Sequence, residues 1–252
     1  MKSIFISILK LFLFTVVCFL LSISWPFIII FCRKGTENRT YGLFMHYLFK
    51  NAFFTKLHYV NLEKFDKNKN YIYICNHQSF FDTVILGLIF PNNGYTMAKD
   101  SLKLVPYFGL LYWLSGNFYI KRGHSEKAKI TMSKIIKRIT KIKCSIIMFP
   151  QGTRSKDNSV TKIKRGFVQL AQATQTDILP CIISTYGTSD ILCQLRNQKP
   201  ICIKICEPIS FAKSEEEILH EVKDLMNNTI HELDQLSNSF IPLPTESHSL
   251  VR

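Results

Sequence analysis

The chain has 252 residues, 47% of them hydrophobic and 13% aromatic, with 10 Gly and 9 Pro. That is enough apolar material for one sizeable core, and it excludes fibrous and disordered classes. With 32 Lys and Arg against 18 Asp and Glu, the formal charge of +14 excludes an acidic solvating protein and points to anionic partners: phosphates, lipid headgroups or nucleic acid.

The first element is apolar. Residues 11–32 run for twenty-two positions without a charge, and a helix of that length, at ~1.5 Å per residue, matches the ~30 Å hydrocarbon core of a bilayer. A removable signal peptide fits less well, because its apolar region is ordinarily ~7–15 residues and a small-residue cleavage site follows it. Lys2 and Lys10 on one side and Arg33 and Lys34 on the other leave the orientation open. Pro26 lies inside the run, so either a single span or a re-entrant hairpin split at the proline is compatible with it. Both geometries hold the rest of the chain at a membrane surface, giving an anchor over residues 1–34 and a main domain over 35–252.

Residues 35–70 are mixed and aromatic; beyond them short β-rich runs alternate with helical patterns, which is the signature of an α/β protein. Strands are expected over 71–75, 95–98, 118–120, 144–149, 178–183 and 201–206, each bounded by Asn, Gly, Pro or charged residues. Between the third and fourth, Ser125 is a cap for a helix on which Ala128, Met132, Ile135, Ile136, Ile139 and Ile142 form one stripe. Its opposite face carries Lys127, Lys134, Lys137, Arg138 and Lys141. That face is either simply solvated or grips acidic headgroups. Near the end, Ser214 and Glu217 have the spacing of a capping box ahead of Ile218, Val222, Leu225, Met226, Ile230 and Leu233.

The eight cysteines (18, 32, 75, 144, 181, 193, 202 and 206) make no C-x-x-C pair and no zinc-ligand spacing. Several sit in the apolar runs, so they read as buried free thiols of a domain facing a reducing cytoplasm. Charge is concentrated: residues 121–165 hold 14 Lys and Arg against Glu126 and Asp157, a net of +12. The anion-facing side of the protein is there.

Two motifs carry chemistry. Directly after the first expected strand stands Asn76-His77-Gln78-Ser79-Phe80-Phe81-Asp82. On a single helix His77 and Asp82 would diverge by roughly 140°, so contact requires His77 on the loop and Asp82 at the start of the next helix. Asp82 could then fix the tautomer of His77 and leave its other ring nitrogen as a general base. After the fourth strand comes Phe149-Pro150-Gln151-Gly152-Thr153-Arg154, a glycine-turned loop that can aim backbone N–H groups and one guanidinium at a phosphate. The chain contains no G-x-S-x-G, H-E-x-x-H, G-x-x-x-x-G-K-[ST] or G-x-G-x-x-G segment, so hydrolase, zinc-protease, nucleotide-triphosphate and dinucleotide readings lack their usual signatures.

The ordered pair of segments 76–82 and 149–154 resembles the signatures of the glycerolipid acyltransferases, most closely the 1-acylglycerol-3-phosphate acyltransferases. Residues 97–102 with Pro106 and Gly109, then 116–122, resemble that family's intermediate blocks, and Leu179-Pro180 its fourth block. The likeness covers about residues 70–185. It implies a mixed sheet flanked by helices, with His77 as general base, Asp82 orienting it, and an acyl-CoA or acyl-carrier-protein thioester as donor. It implies no metal, no cofactor and no covalent acyl-enzyme. Arg154, Gly152 and Thr153 would hold the acceptor's phosphate, with Gln151, Lys99 and Arg122 as further substrate-binding positions. Where the family usually has Glu, position 151 is Gln, which leaves the acceptor's identity open.

The implied partners are a lysophospholipid, the acyl donor and a bilayer with acidic lipids, with the catalytic domain facing the cytoplasm. Residues 102–114, apolar with Trp113 and Tyr112, either line an acyl groove, lie in the membrane interface or pack as core. Two alternatives stand beside this reading: transfer to another lysophospholipid or amphipathic alcohol, and a non-catalytic basic module that binds acidic lipids. Nucleic acid is disfavoured, because no helix-turn-helix, zinc-finger or RNA-binding signature accompanies the basic cluster.

Overall fold

The computed structural model describes residues 2–32, 35–53, 56–79, 81–105, 108–121, 125–155, 159–186 and 200–240. Its centre is a seven-stranded sheet built from β1 (Leu57–Val60), β2 (Ile72–Ile74), β3 (Gly94–Lys99), β4 (Phe118–Ile120), β5 (Ser145–Met148), β6 (Ile178–Ile183) and β7 (Ile201–Ile205). The strand order is β1-β7-β6-β2-β5-β3-β4. Every neighbouring pair is parallel except β6 and β7, which are antiparallel. The sheet is therefore mixed. β2, β5 and β6 are buried along their whole length, as unbroken runs of Ile, Leu and Met demand of central parallel strands covered on both faces.

Two hydrophobic layers cover the sheet. On one face Ile72, Ile74 and Ile146 meet Ile135 and Ile139 of α5 (Ser125–Ile142), Phe167 and Leu170 of α6 (Gly166–Thr174), and Val222 and Met226 of α7 (Glu215–Ser239). On the other, Tyr73, Ile147 and Leu179 meet Met45 and Phe49 of α2 (Glu37–Phe53) and Phe81 and Ile85 at α3 (Asp82–Ile85). The alternation of Ile72 and Ile74 against Tyr73 is the two-residue period of a strand.

All six expected strands form, with ends shifted by at most one residue. β1 escapes sequence reading because a four-residue, half-exposed edge strand has little pattern of its own; pairing with β7 supplies it. The capping box of α7 is present, with Ser214 Oγ accepting from Glu217 N–H and Glu217 accepting from Ser214 N–H. The Ser125 side chain lies outside the described set. On α5, Ile142 is 40% exposed and leaves the expected stripe. Arg138, expected on the solvated face, is instead half-buried: its guanidinium stacks 4.3 Å from the Tyr95 ring centroid and donates to Gly116 C=O at 2.9 Å. Cys75, Cys144, Cys181, Cys202 and Cys206 are buried free thiols and Cys32 is a half-buried one.

The backbone of α1 (Lys2–Phe31) is helical through Pro26 without a break. Few of its side chains before Ile23 are among the described residues, and among those described no helix is long and apolar enough to cross a membrane. Its C-terminal part is docked: Trp25, 4% exposed, stacks on Tyr41 of α2 at 3.9 Å and donates from Nε1 to Ser115 Oγ at 2.8 Å. Asn38 of α2 donates to the carbonyls of Gly94 and Ser115 and accepts from Asn117. Beside α1, the short helix α4 (Phe108–Leu114) buries Leu111 and Tyr112 but exposes Leu110 and Trp113, and Leu104 before it is 85% exposed. The described residues of 102–114 are thus divided between core and an open apolar face.

Because β2, β3, β4, β5 and β6 all run the same way, the loops that leave them gather at one edge of the sheet. This carboxyl edge is where parallel α/β sheets bind ligands.

Candidate active site

The segment after β2 is zippered to the segment after β6. Asn76 donates to Ile183 C=O and accepts from Ile183 N–H, both at 2.8 Å, so its side chain continues the ladder that the backbone has left. Gln78 donates to Ser184 C=O at 2.9 Å and accepts from Tyr186 N–H at 3.4 Å. With its neighbours pinned to one side, His77 projects to the other. Its ring stacks on Phe149 at 4.3 Å, and its side chain is 14% exposed.

Asp82 opens α3 and is fully buried. Its Oδ2 lies 2.5 Å from His77 Nδ1 and also accepts from the N–H groups of Gln78 and Ser79 at 2.8 and 3.0 Å. Its Oδ1 accepts from the Tyr186 hydroxyl at 2.5 Å. Two backbone amides at a helix start, a phenol and an imidazole N–H converge on one carboxylate, an arrangement that only an acceptor on both oxygens satisfies. The loop-then-helix placement resolves the angular problem of the H-x-x-x-x-D spacing. It directs Nδ1 inward and leaves Nε2 as the outward ring nitrogen.

The loop after β5 holds His77 by its main chain. Gln151, 9% exposed, accepts His77 N–H on Oε1 at 2.7 Å, and Ser155 N–H donates to His77 C=O at 2.8 Å. The other end of the Gln151 amide donates to Ser159 C=O at 3.2 Å. Gly152 has φ +70, and a Cβ there would lie 2.6 Å from Lys164 Cε. Glycine thus lets the loop turn and brings the Lys164 chain across it. Thr153 and Arg154 are exposed at the loop tip, and the Arg154 charge reaches the Tyr186 phenol.

His77, Asp82 and Gln151 are therefore in direct contact, with Gly152, Thr153 and Arg154 on the same loop. Lys99 is exposed at the end of β3 on the same sheet edge, and Arg122 lies outside the described residues. Tyr186, Asn76, Ser159 and Lys164 were not legible as site residues. The only trace of the first is a polar Ser184-Thr185-Tyr186 run closing an apolar strand. Among the described residues no group of three or more His, Cys, Asp or Glu is placed to hold a metal ion.

A buried carboxylate behind a histidine, opposite a glycine-turned basic loop on one edge of an α/β sheet, is an arrangement chemically able to accept a proton next to an anion-binding loop. Known proteins define the class further. The pattern of the family described as Acyltransferase matches residues 56–184. The 1-acyl-sn-glycerol-3-phosphate acyltransferase of Escherichia coli is 34% identical over 208 residues, covering 81% of this chain and 74% of the relative. That of Haemophilus influenzae is 33% identical over 168 residues, covering 65% of this chain and 70% of the relative. The crystal structure of the 1-acyl-sn-glycerophosphate (LPA) acyltransferase from Thermotoga maritima superposes with a TM-score of 0.73 at 23% identity, covering 92% of this chain and 96% of that one. The protein is an acyltransferase. It belongs to the glycerolipid acyltransferase family whose motifs its sequence carries.

Proposed function

We propose that the enzyme transfers a fatty acyl group from an acyl thioester, on coenzyme A or acyl carrier protein, to the free hydroxyl of 1-acylglycerol 3-phosphate, forming phosphatidic acid. The observation that carries this is the buried Asp82 carboxylate 2.5 Å from Nδ1 of His77, which leaves Nε2 outward. Nε2 takes the proton of the acceptor hydroxyl as its oxygen attacks the thioester carbonyl. Collapse of the tetrahedral intermediate forms the ester and expels the thiolate, which recovers the proton from Nε2. The Asp82 carboxylate stabilises the transient imidazolium. Proton transfer of this kind contributes ~10²–10⁴-fold, and fixed orientation of the two substrates supplies much of the rest.

Arg154, with Gly152 and Thr153, is the first choice for the acceptor phosphate, with Lys99 and Arg122 next by position. In this reading Gln151 acts on the acceptor indirectly, since both ends of its amide are engaged with His77 and Ser159. Residues 1–34 serve as membrane anchor and 35–252 as the catalytic unit, acting at a membrane with the site toward the cytoplasm. The charge-free run 11–32 and the exposed Ile23, Phe27, Ile30, Leu110 and Trp113 support that placement. Acidic lipids meet the basic 121–165 region, and no nucleic acid is involved.

The test is transfer of a labelled acyl group from each thioester to lysophosphatidic acid by detergent-purified protein, run beside His77→Ala and a panel of other lysophospholipids. His77-dependent product with lysophosphatidic acid is expected. Preference for another headgroup would move the assignment to that acceptor, and absence of product with every acceptor would leave a lipid-binding module.

A further inference from the structure

We infer that Tyr186 is a positioning residue of the His77–Asp82 pair: its hydroxyl fixes the rotation of the Asp82 carboxylate and restrains how strongly that carboxylate draws a proton onto His77. This rests on the general-base reading above and extends it by one residue. Tyr186 follows β6, the strand paired with β2, and is 3% exposed. Its hydroxyl donates to Asp82 Oδ1 at 2.5 Å, while Oδ2 faces the imidazole at 2.5 Å. The two oxygens are thus separated by task. The phenol holds Oδ1 in place, and without it the carboxylate could turn about its last torsion and lower the quality of the Oδ2 contact.

The residue is itself held on three sides. Its N–H donates to Gln78 Oε1 at 3.4 Å. The preceding Thr185 is fastened to Asp234 of α7 through both its N–H and its hydroxyl, at 2.6 and 2.7 Å. Burial and the charge of Asp82 push the phenol well above its ordinary ionisation range, with Ser79 and Arg154 opposing. It therefore remains a donor. A fixed donor that polarises the orienting carboxylate, without touching the base, is the usual outer-shell device for setting a histidine's geometry and basicity.

The experiment compares Tyr186→Phe, site-specific 3-fluorotyrosine at 186, His77→Ala and the unmodified enzyme, in full-length detergent-purified protein, recording kcat, KM and the pH dependence of kcat/KM. A hydrogen bond to a charged group of this kind is worth a tenfold to hundredfold effect. Tyr186→Phe should lower kcat by about that factor with KM for both substrates unchanged. Its acid limb should move to higher pH, because the undiluted Asp82 charge keeps a proton on the imidazole longer. The more acidic fluorophenol should restore kcat and move the limb to lower pH. Unchanged kcat and an unshifted limb in Tyr186→Phe, a loss confined to KM, or fluorotyrosine behaving like phenylalanine would each overturn the inference. If Tyr186→Phe shows no cooperative melting, the fluorotyrosine shift decides alone. Full activity in His77→Ala would instead sink the general-base reading, whatever Tyr186 does.

Discussion

Gln151 Oε1 accepts the main-chain N–H of His77 at 2.7 Å while Gln151 Nε2 donates to the Ser159 carbonyl at 3.2 Å. One amide thereby ties three pieces of chain together, and the two ends need opposite polarity. A glutamate at 151 keeps the acceptor for His77 N–H but turns a second acceptor toward Ser159 C=O. We expect Gln151→Glu to retain activity within a few-fold, because the bond nearest the ring survives. Gln151→Ala takes the acceptor from the part-buried His77 N–H and a donor from Ser159 C=O, at about 1–3 kcal/mol each, and should lower kcat by about tenfold or more. Steady-state kinetics of the two variants with one fixed acceptor distinguish them; equal losses would mean that the Ser159 bond, not the His77 bond, matters.

His77 and Asp82 should separate by stability. The bonds that pin His77 to the β5 loop use its backbone, so His77→Ala should lose ~10²–10⁴ in kcat with little change in melting temperature. Asp82 is the acceptor for Gln78 and Ser79 N–H and for the Tyr186 hydroxyl in a closed site. Asp82→Ala takes an acceptor from all three donors, at roughly 1–3 kcal/mol each, so it should lower the melting temperature as well as the activity. Thermal melts of both proteins beside the kinetics make the comparison.

The difference between these two residues also marks what the sequence could reveal. Strand and helix positions were legible because continuous apolar runs and a 3.6-residue stripe report burial, and burial is what the sheet, α5 and α7 require. The His77–Asp82 contact was legible because a strand end and a helix start fix where five residues can go. Tyr186 was not, since it reaches Asp82 from 104 positions away, and no local pattern encodes a contact of that separation. β1 and α2 failed for a related reason: the edge strand and the polar–aromatic helix gain their stability from β7 and α1, which only the folded arrangement brings to them. Arg138 shows the converse error, a charge assigned to solvent that Tyr95 and Gly116 draw inward.

Arg154 is exposed at the tip of a loop whose base is fixed, so its loss should not disturb folding. If it meets the acceptor phosphate, Arg154→Ala should raise KM for a phosphate-bearing acceptor by about tenfold, as removal of a charge-assisted contact of ~1.5 kcal/mol requires. The KM of the acyl donor should stay where it was. A rise confined to the donor would transfer the phosphate to Lys99 or Arg122 and leave Arg154 at the thioester's carrier. Initial rates with each substrate varied in turn give the answer.

Acid should destabilise the α2 layer through His46. Its ring is 2% exposed, with Nδ1 3.2 Å from Ile85 C=O and 3.4 Å from the Tyr59 hydroxyl. Burial lowers its proton affinity, with Lys50 acting in the same sense and the carbonyls of Ile85 and Val84 against it. Below the unfolded value of about 6.5 the unfolded chain takes up a proton that the folded one refuses. Stability therefore falls as pH drops through that point, by at most ~1.4 kcal/mol per unit, until the folded ring protonates too. His46→Asn should flatten this part of the curve. Melting temperatures of both proteins between pH 7.5 and 5, in one detergent, isolate His46 from the other histidines; parallel curves would show that the buried ring does not report on folding.

Trp25 couples the N-terminal helix to the catalytic sheet. Its indole stacks on Tyr41 and donates to Ser115 Oγ, and Ser115 C=O accepts from Asn38, whose own carbonyl oxygen accepts from Asn117. Asn117 in turn accepts the N–H of Thr96 in β3. These polar contacts link α1 to a strand that ends at Lys99, on the edge where His77 lies. Trp25→Ala removes a buried aromatic worth about 3–5 kcal/mol of packing and takes the donor from Ser115 Oγ. Hydrogen–deuterium exchange should then quicken in α4 and at the Ser115–Asn117 turn as well as in α1. Quickening in α1 alone would mean that these contacts do not couple α1 to the sheet and that the two are joined only by the covalent chain.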